Sequence, residues 1–132
     1  MSQENVEIVR AAFAAWNTGD MDAVTGAYDE GAIIVRTVEG WPEPGPIVGR
    51  DAVMRFFAAL REIYPEEGTI VGLSFIDARD RVVVRQSWQG KGRGPDMDME
   101  FTVVFTLRDA RILLLEYFWD HAEALKAVGL AE

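Results

Sequence analysis

The chain has no cysteine and only one histidine, His121. Without thiols, disulfide staples, thiolate metal sites and a cysteine nucleophile are all excluded. A single imidazole also rules out histidine-cluster metal centres and paired-histidine chemistry. Positive charge is scarce: 13 Lys and Arg stand against 22 Asp and Glu, a formal net charge of -9. Nucleic acid and anionic membrane are polyanions that need cationic contacts, so neither is an expected partner. The same charge favours solubility. Long aliphatic runs are missing too, and the stretch from Ile112 to Leu115 falls far short of a bilayer span. The start, Met1-Ser2-Gln3-Glu4-Asn5, is polar and acidic rather than basic then apolar, so the cytoplasm is the expected compartment.

What is present suits a globular domain. Apolar residues make up 49% of the 132 and charged ones 27%, an ordinary balance for one domain spanning residues 1–132. Val6, Val9, Phe13 and Trp16 recur at three- and four-residue steps, which predicts an amphipathic helix over Ser2 to Thr18. Gly19 stops it, and Asp20 caps a short second helix carrying Met21, Val24 and Tyr28. After a break at Asp29-Glu30-Gly31, the β-branched run Ala32 to Val38 reads as a strand. Three prolines and two glycines between Glu39 and Pro46 predict a loop that ends at Gly49. A third helix runs from about Asp51 to Tyr64, with Val53, Phe56, Phe57 and Leu60 as its buried stripe and Pro65 as its stop.

Four strand-like segments follow: Thr69 to Asp77, Arg81 to Gln89, Asp98 to Arg108 and Arg111 to Trp119. Their short links favour an antiparallel meander. Asp120-His121-Ala122-Glu123 opens a terminal helix that ends at Gly129. The fold class is therefore α+β: a strongly curved, mostly antiparallel sheet with helices on its concave face, enclosing a pocket.

Three motifs in order resemble the SnoaL-like proteins of the nuclear transport factor 2-like superfamily, whose fold is a cone-shaped α+β barrel. The first runs from Val9 to Ala23 through Asn17-Thr18-Gly19-Asp20; the second is Gly49-Arg50-Asp51-Ala52-Val53-Met54-Arg55-Phe56-Phe57; the third is Asp120 to Leu130. That superfamily includes ketosteroid isomerase, polyketide cyclases and non-catalytic binding modules, so the fold leaves the function open. The resemblance implies that the oxyanion-holding and proton-moving positions of ketosteroid isomerase correspond to Ala12, Val103 and Arg36. None carries the required group, which argues against that mechanism.

The same resemblance, with the two-residue strand period, implies which side chains face the pocket. On the strands these are Ile34 and Arg36; Val82, Val84, Gln86 and Trp88; Met97, Met99, Phe101, Val103 and Phe105; Leu113, Leu115, Tyr117 and Trp119. Helices add Phe13, Trp16 and Phe56. Arg85, Ser87, Glu100, Thr102, Thr106 and Glu116 take the opposite face, where water or a second copy of the chain would meet them, and a homodimer is expected.

Most of the inward set is better explained as core than as ligand contact. The polar members say more, because an unsolvated charge or amide needs a partner. Arg36 either clamps an anionic group or points to water beside Glu39; Gln86 either orients a ligand carbonyl or satisfies backbone; Tyr117 either donates to a ligand or anchors a rim. Other patterns have plainer readings. Asp120 with Glu123 has capping-box spacing, and His121 in the first turn is expected to be exposed. Asp96, Asp98 and Glu100 alternate on a strand without the glycine turn of a cation site. Gly90, Gly92 and Gly94 precede no helix and so make no phosphate cradle.

The pocket candidates are Trp16, Arg36, Phe56, Gln86, Trp88, Met99, Phe101, Tyr117 and Trp119, with no metal and no cofactor expected. Three functions fit: a binder of a small hydrophobic or weakly anionic metabolite; a cofactor-independent cyclase, isomerase or lyase; or a dimerisation module with an incidental cavity. The enzyme reading needs a carboxylate in the pocket, supplied by Glu116 or Asp120 if a bulge reverses the parity of the last strand.

Overall fold

The computed structural model describes residues 2–36, 46–63, 69–90 and 97–130. Chain order is α1 (Ser2–Thr18), α2 (Met21–Gly26), β1 (Tyr28–Arg36), β2 (Ile47–Val48), α3 (Arg50–Ile63), β3 (Thr69–Ala78), β4 (Arg81–Gly90), β5 (Met97–Arg108), β6 (Arg111–Phe118) and α4 (His121–Ala127). One six-stranded sheet has the order β2-β1-β6-β5-β4-β3. It is curved and unclosed. All neighbours run antiparallel except β1 and β6, which are parallel. β3 to β6 form the expected meander.

Two boundaries differ from the sequence reading. Tyr28 opens β1 instead of lying on the second helix, and Asp29-Glu30-Gly31 stays within the strand. The Asp29 carboxylate accepts the Gly31 N–H at 2.8 Å, so a local turn is absorbed as an irregularity in the pairing with β6. Ile47 and Val48, read as loop, pair with Ile34 and Ile33 and give β1 a short outer neighbour. The last two residues of the expected strand, Thr37 and Val38, most of the expected loop (39–45), Pro65 and the glycines at 92 and 94 lie outside the described residues.

The main core lies between the sheet and the helices α1, α2 and α3. Val9, Val53, Ile34, Val82, Val84, Ile112 and Leu115 are completely or almost completely buried there. Each such side chain contributes about 1.5–3 kcal/mol. Phe13 holds α1 to the sheet, with its ring 5.6 Å from Phe75 on β3 and 6.0 Å from Phe105 on β5. Arg10 caps the Phe75 ring at 4.2 Å.

A second, smaller core lies on the other face. There Val83, Val104 and Phe118 meet Ala124 of α4, with Leu125 and Val128 beside it. The face expected to be open to water is thus partly covered. Thr102 is buried, and its hydroxyl lies 3.0 Å from His121 Nδ1. His121 is accordingly half-buried rather than exposed, because α4 folds back over the sheet. Arg85 and Glu100 stay at the surface as a 2.9 Å ion pair.

Candidate functional site

A cavity lies between α1, α2, α3, the start of β1 and the inner face of β4, β5 and β6. Its lining is Ala12, Phe13 and Trp16 from α1, Val24 from α2, Tyr28 from β1, and Phe57 from α3. The sheet adds Gln86 and Trp88 from β4; Phe101, Val103 and Phe105 from β5; and Leu115 and Tyr117 from β6. Strand alternation explains these choices: on β4, β5 and β6 the lining residues fall two apart. The volume is about 50 Å³, counted as room for the centre of a water molecule. One water needs roughly 10–15 Å³ on that measure, so a few waters fit, against roughly 150 Å³ for an engineered cavity that takes up benzene.

The walls are mainly aromatic rings in edge contact. Trp16 meets Phe57 at 5.5 Å and Trp88 at 6.3 Å, and Tyr28 meets Phe57 at 5.7 Å. Phe101 stacks on Tyr117 at 5.8 Å and receives the edge of Trp119 at 6.3 Å.

Trp16, Gln86, Trp88, Phe101 and Tyr117 therefore converge on one space. Phe57 faces it where Phe56 was expected; Phe56 is buried beside it, with ring centroids 6.0 Å apart. Both fall on the same broad helical stripe, and contact with Trp16 and Tyr28 selects Phe57. Trp119 is 46% exposed and touches Phe101 from outside the lining. Arg36 ends β1 in register with Glu116, and Met99 pairs with Trp88; both of these side chains lie outside the described residues.

Tyr28 and Val24 went unrecognised as wall residues. An aromatic directly after Gly26 and Ala27 was the available signal that helix had given way to strand. Ile112 is fully buried in the main core, where Leu113 was expected. The register of β6 against β5 slips between Leu107↔Ile112 and Thr106↔Leu114, and this bulge at Leu113 reverses the alternation upstream of it. Downstream the expected parity holds. Glu116 stands opposite Val104, a residue of the outer core, and Asp120 caps α4 by accepting the Ala122 N–H at 2.9 Å. Neither carboxylate joins the lining.

The polar groups of the wall are neutral. Burial pushes the Tyr28 hydroxyl well above the usual phenol range, and the adjacent Tyr117 raises it further. Burial alone raises Tyr117. Both therefore remain protonated donors across the physiological range. Gln86 is 3% exposed, and its Oε1 is buried without a hydrogen-bond partner. Its cross-strand neighbours, Gly72 on β3 and Phe101 on β5, offer no polar side chain. Among the described residues no three metal-ligating side chains cluster.

The SnoaL-like domain family matches residues 9–115. The chain belongs to that family. Solved structures agree with the SnoaL-like assignment. The Bal32a protein from a soil-derived mobile gene cassette is 25% identical, with 91% of this chain and 92% of that one covered, at a TM-score of 0.81. A candidate polyketide cyclase from Sinorhizobium meliloti is 25% identical over 89% and 98%, at 0.69. TerC, co-crystallised with polyporic acid, is 21% identical over 95% and 98%, at 0.75. Other neighbours are nuclear transport factor 2-like proteins. No curated protein matches the chain. In this SnoaL-like chain Ala12 and Val103, two positions tied above to isomerase chemistry, both line the cavity and are both apolar.

Proposed function

We propose that this protein binds a small, largely apolar, neutral molecule in the cavity beneath α1. The observation that carries the proposal is the unpartnered Gln86 Oε1 on a mainly aromatic wall. Leaving a buried amide oxygen unsatisfied costs about 1–3 kcal/mol. An incidental packing void is expected to be lined by apolar groups and to stay dry; this one has a buried acceptor on its wall. The aromatic surfaces supply the bulk of the contact, and few polar groups fix orientation. An anionic ligand finds no cation among the described lining residues, so a neutral one fits better.

The free volume is small, so a ring-sized ligand requires the wall to give. Phe101 and Trp119 are the rings proposed to move, since Trp119 is half open to solvent. The test is NMR titration with single-ring arenes against the wild-type chain and Ala12→Val. That substitution adds two methyl groups to the wall. The expected result is shifts at Ala12, Gln86 and Tyr117 in the wild type and none in the variant. Absence of any shift in the wild type overturns the proposal.

A second reading, a cofactor-independent cyclase, isomerase or lyase, draws on the likeness to the candidate polyketide cyclase. It is the weaker reading, since no carboxylate lines the cavity among the described residues and burial holds the Tyr28 and Tyr117 protons too tightly for general-acid work. We also propose a cytoplasmic homodimer. The outward charges of both signs on β4 and β5, Arg85 and Glu100, suit pairing with a rotated copy of the same face.

A further inference from the structure

We infer that Gln86 sets ligand specificity by accepting a hydrogen bond from a neutral hydroxyl on a ring-shaped ligand, a phenol-type O–H. This rests on the binding reading above and adds the chemistry of what is bound.

The geometry around Gln86 narrows the choice. Its backbone belongs to the ladder between β3 and β5, so the side chain alone is available for recognition. Gly72 on one side and Phe101 on the other leave Oε1 with no cross-strand donor. An amide oxygen accepts and cannot donate, so what satisfies it must bring a proton. An ammonium would bring a charge into a wall with no carboxylate among its described residues, and stripping such an ion of water is costly. A hydroxyl brings the proton without the charge.

The rest of the wall suits a hydroxyl borne on a ring. Trp16, Trp88, Phe101 and Tyr117 present flat faces and edges, and aromatic pairs stabilise each other beyond simple area burial. A phenol oxygen that donates to Gln86 still has lone pairs to accept. The Tyr28 hydroxyl, on the same cavity, is a donor that burial keeps protonated. Water is the rival occupant, since a few molecules fit the volume.

Phenol and toluene separate these cases because they match in shape and differ in the O–H. Their affinities would be measured by titration calorimetry on the wild type and on Gln86→Met, which keeps length and removes the acceptor. Toluene is the more apolar, so the informative quantity is the change in the toluene-to-phenol Kd ratio between the two proteins. The expected result is a fall in that ratio of about tenfold on substitution, the scale of one buried hydrogen bond. An unchanged ratio, with both arenes binding, overturns the role of Gln86 while the binding reading stands. If neither arene binds the wild type, both fall.

A second measurement does not depend on the variant folding. In the wild type, phenol should shift the Gln86 carboxamide NMR signals clearly further than toluene, whose ring current alone acts on them. Equal shifts from the two overturn the inference.

Discussion

Tyr117 and Tyr28 show how burial turns an ordinary side chain into a directed one. Both hydroxyls hold their protons more tightly in the folded chain than in the unfolded one, whose phenols titrate at about 10. Above that pH the folded state binds more protons than the unfolded state, so stability declines as pH rises; below it the contribution is complete. Melting temperatures taken between about pH 8 and 11 should therefore fall, and should fall less steeply for Tyr117→Phe. An identical slope in the variant would show that another group governs the alkaline limb. Gln86 was legible in the sequence as a polar residue on an inward row. Its lack of a partner was not, because that depends on Gly72 arriving opposite it, set by a strand register the sequence does not print. Gly72 itself is required there: a Cβ at that position would run into the Phe75 ring that anchors Phe13.

Among the elements, β6 and α4 mark where periodicity stops being informative. Ile112 to Leu115 is apolar at every position, so alternation has nothing to distinguish inside from outside, and the bulge at Leu113 leaves no trace in the sequence. Phe56 and Phe57 pose the same difficulty on α3. Segments with sharp punctuation were read closely: Gly19 and Asp20 separate α1 from α2 as expected, and Asp20 caps α2 by accepting the Ala23 N–H at 3.1 Å. Asp120 does likewise for α4, whose Ala124, Leu125 and Val128 cover the outer core. Asp120→Ala should cost about 1 kcal/mol in denaturant unfolding, within the usual range for a lost cap. It should leave arene binding unchanged, because α4 is absent from the cavity lining. A loss of binding in that variant would mean the two cores are coupled through β5 and β6.

At the scale of the whole molecule, the curved sheet divides its labour between two faces. The inner face and α1 to α3 enclose the cavity; the outer face carries α4 and an exposed ion pair. The layering was legible because helices gathered around a meander cover one face of an antiparallel sheet, and the resemblance to SnoaL-like proteins implied its curvature. The size of the cavity was not, since it depends on how far the aromatic rings interlock. If the outer face also joins two copies, light scattering at micromolar concentration should return twice the mass of the chain, and a monomeric mass would remove the dimer. A guest that brings a donor to the Gln86 oxygen stabilises the occupied chain over the vacant one by mass action. Cellular proteolysis draws on whichever form opens more readily. The abundance of this protein would then rise and fall with the supply of its guest, without any dedicated control over its synthesis.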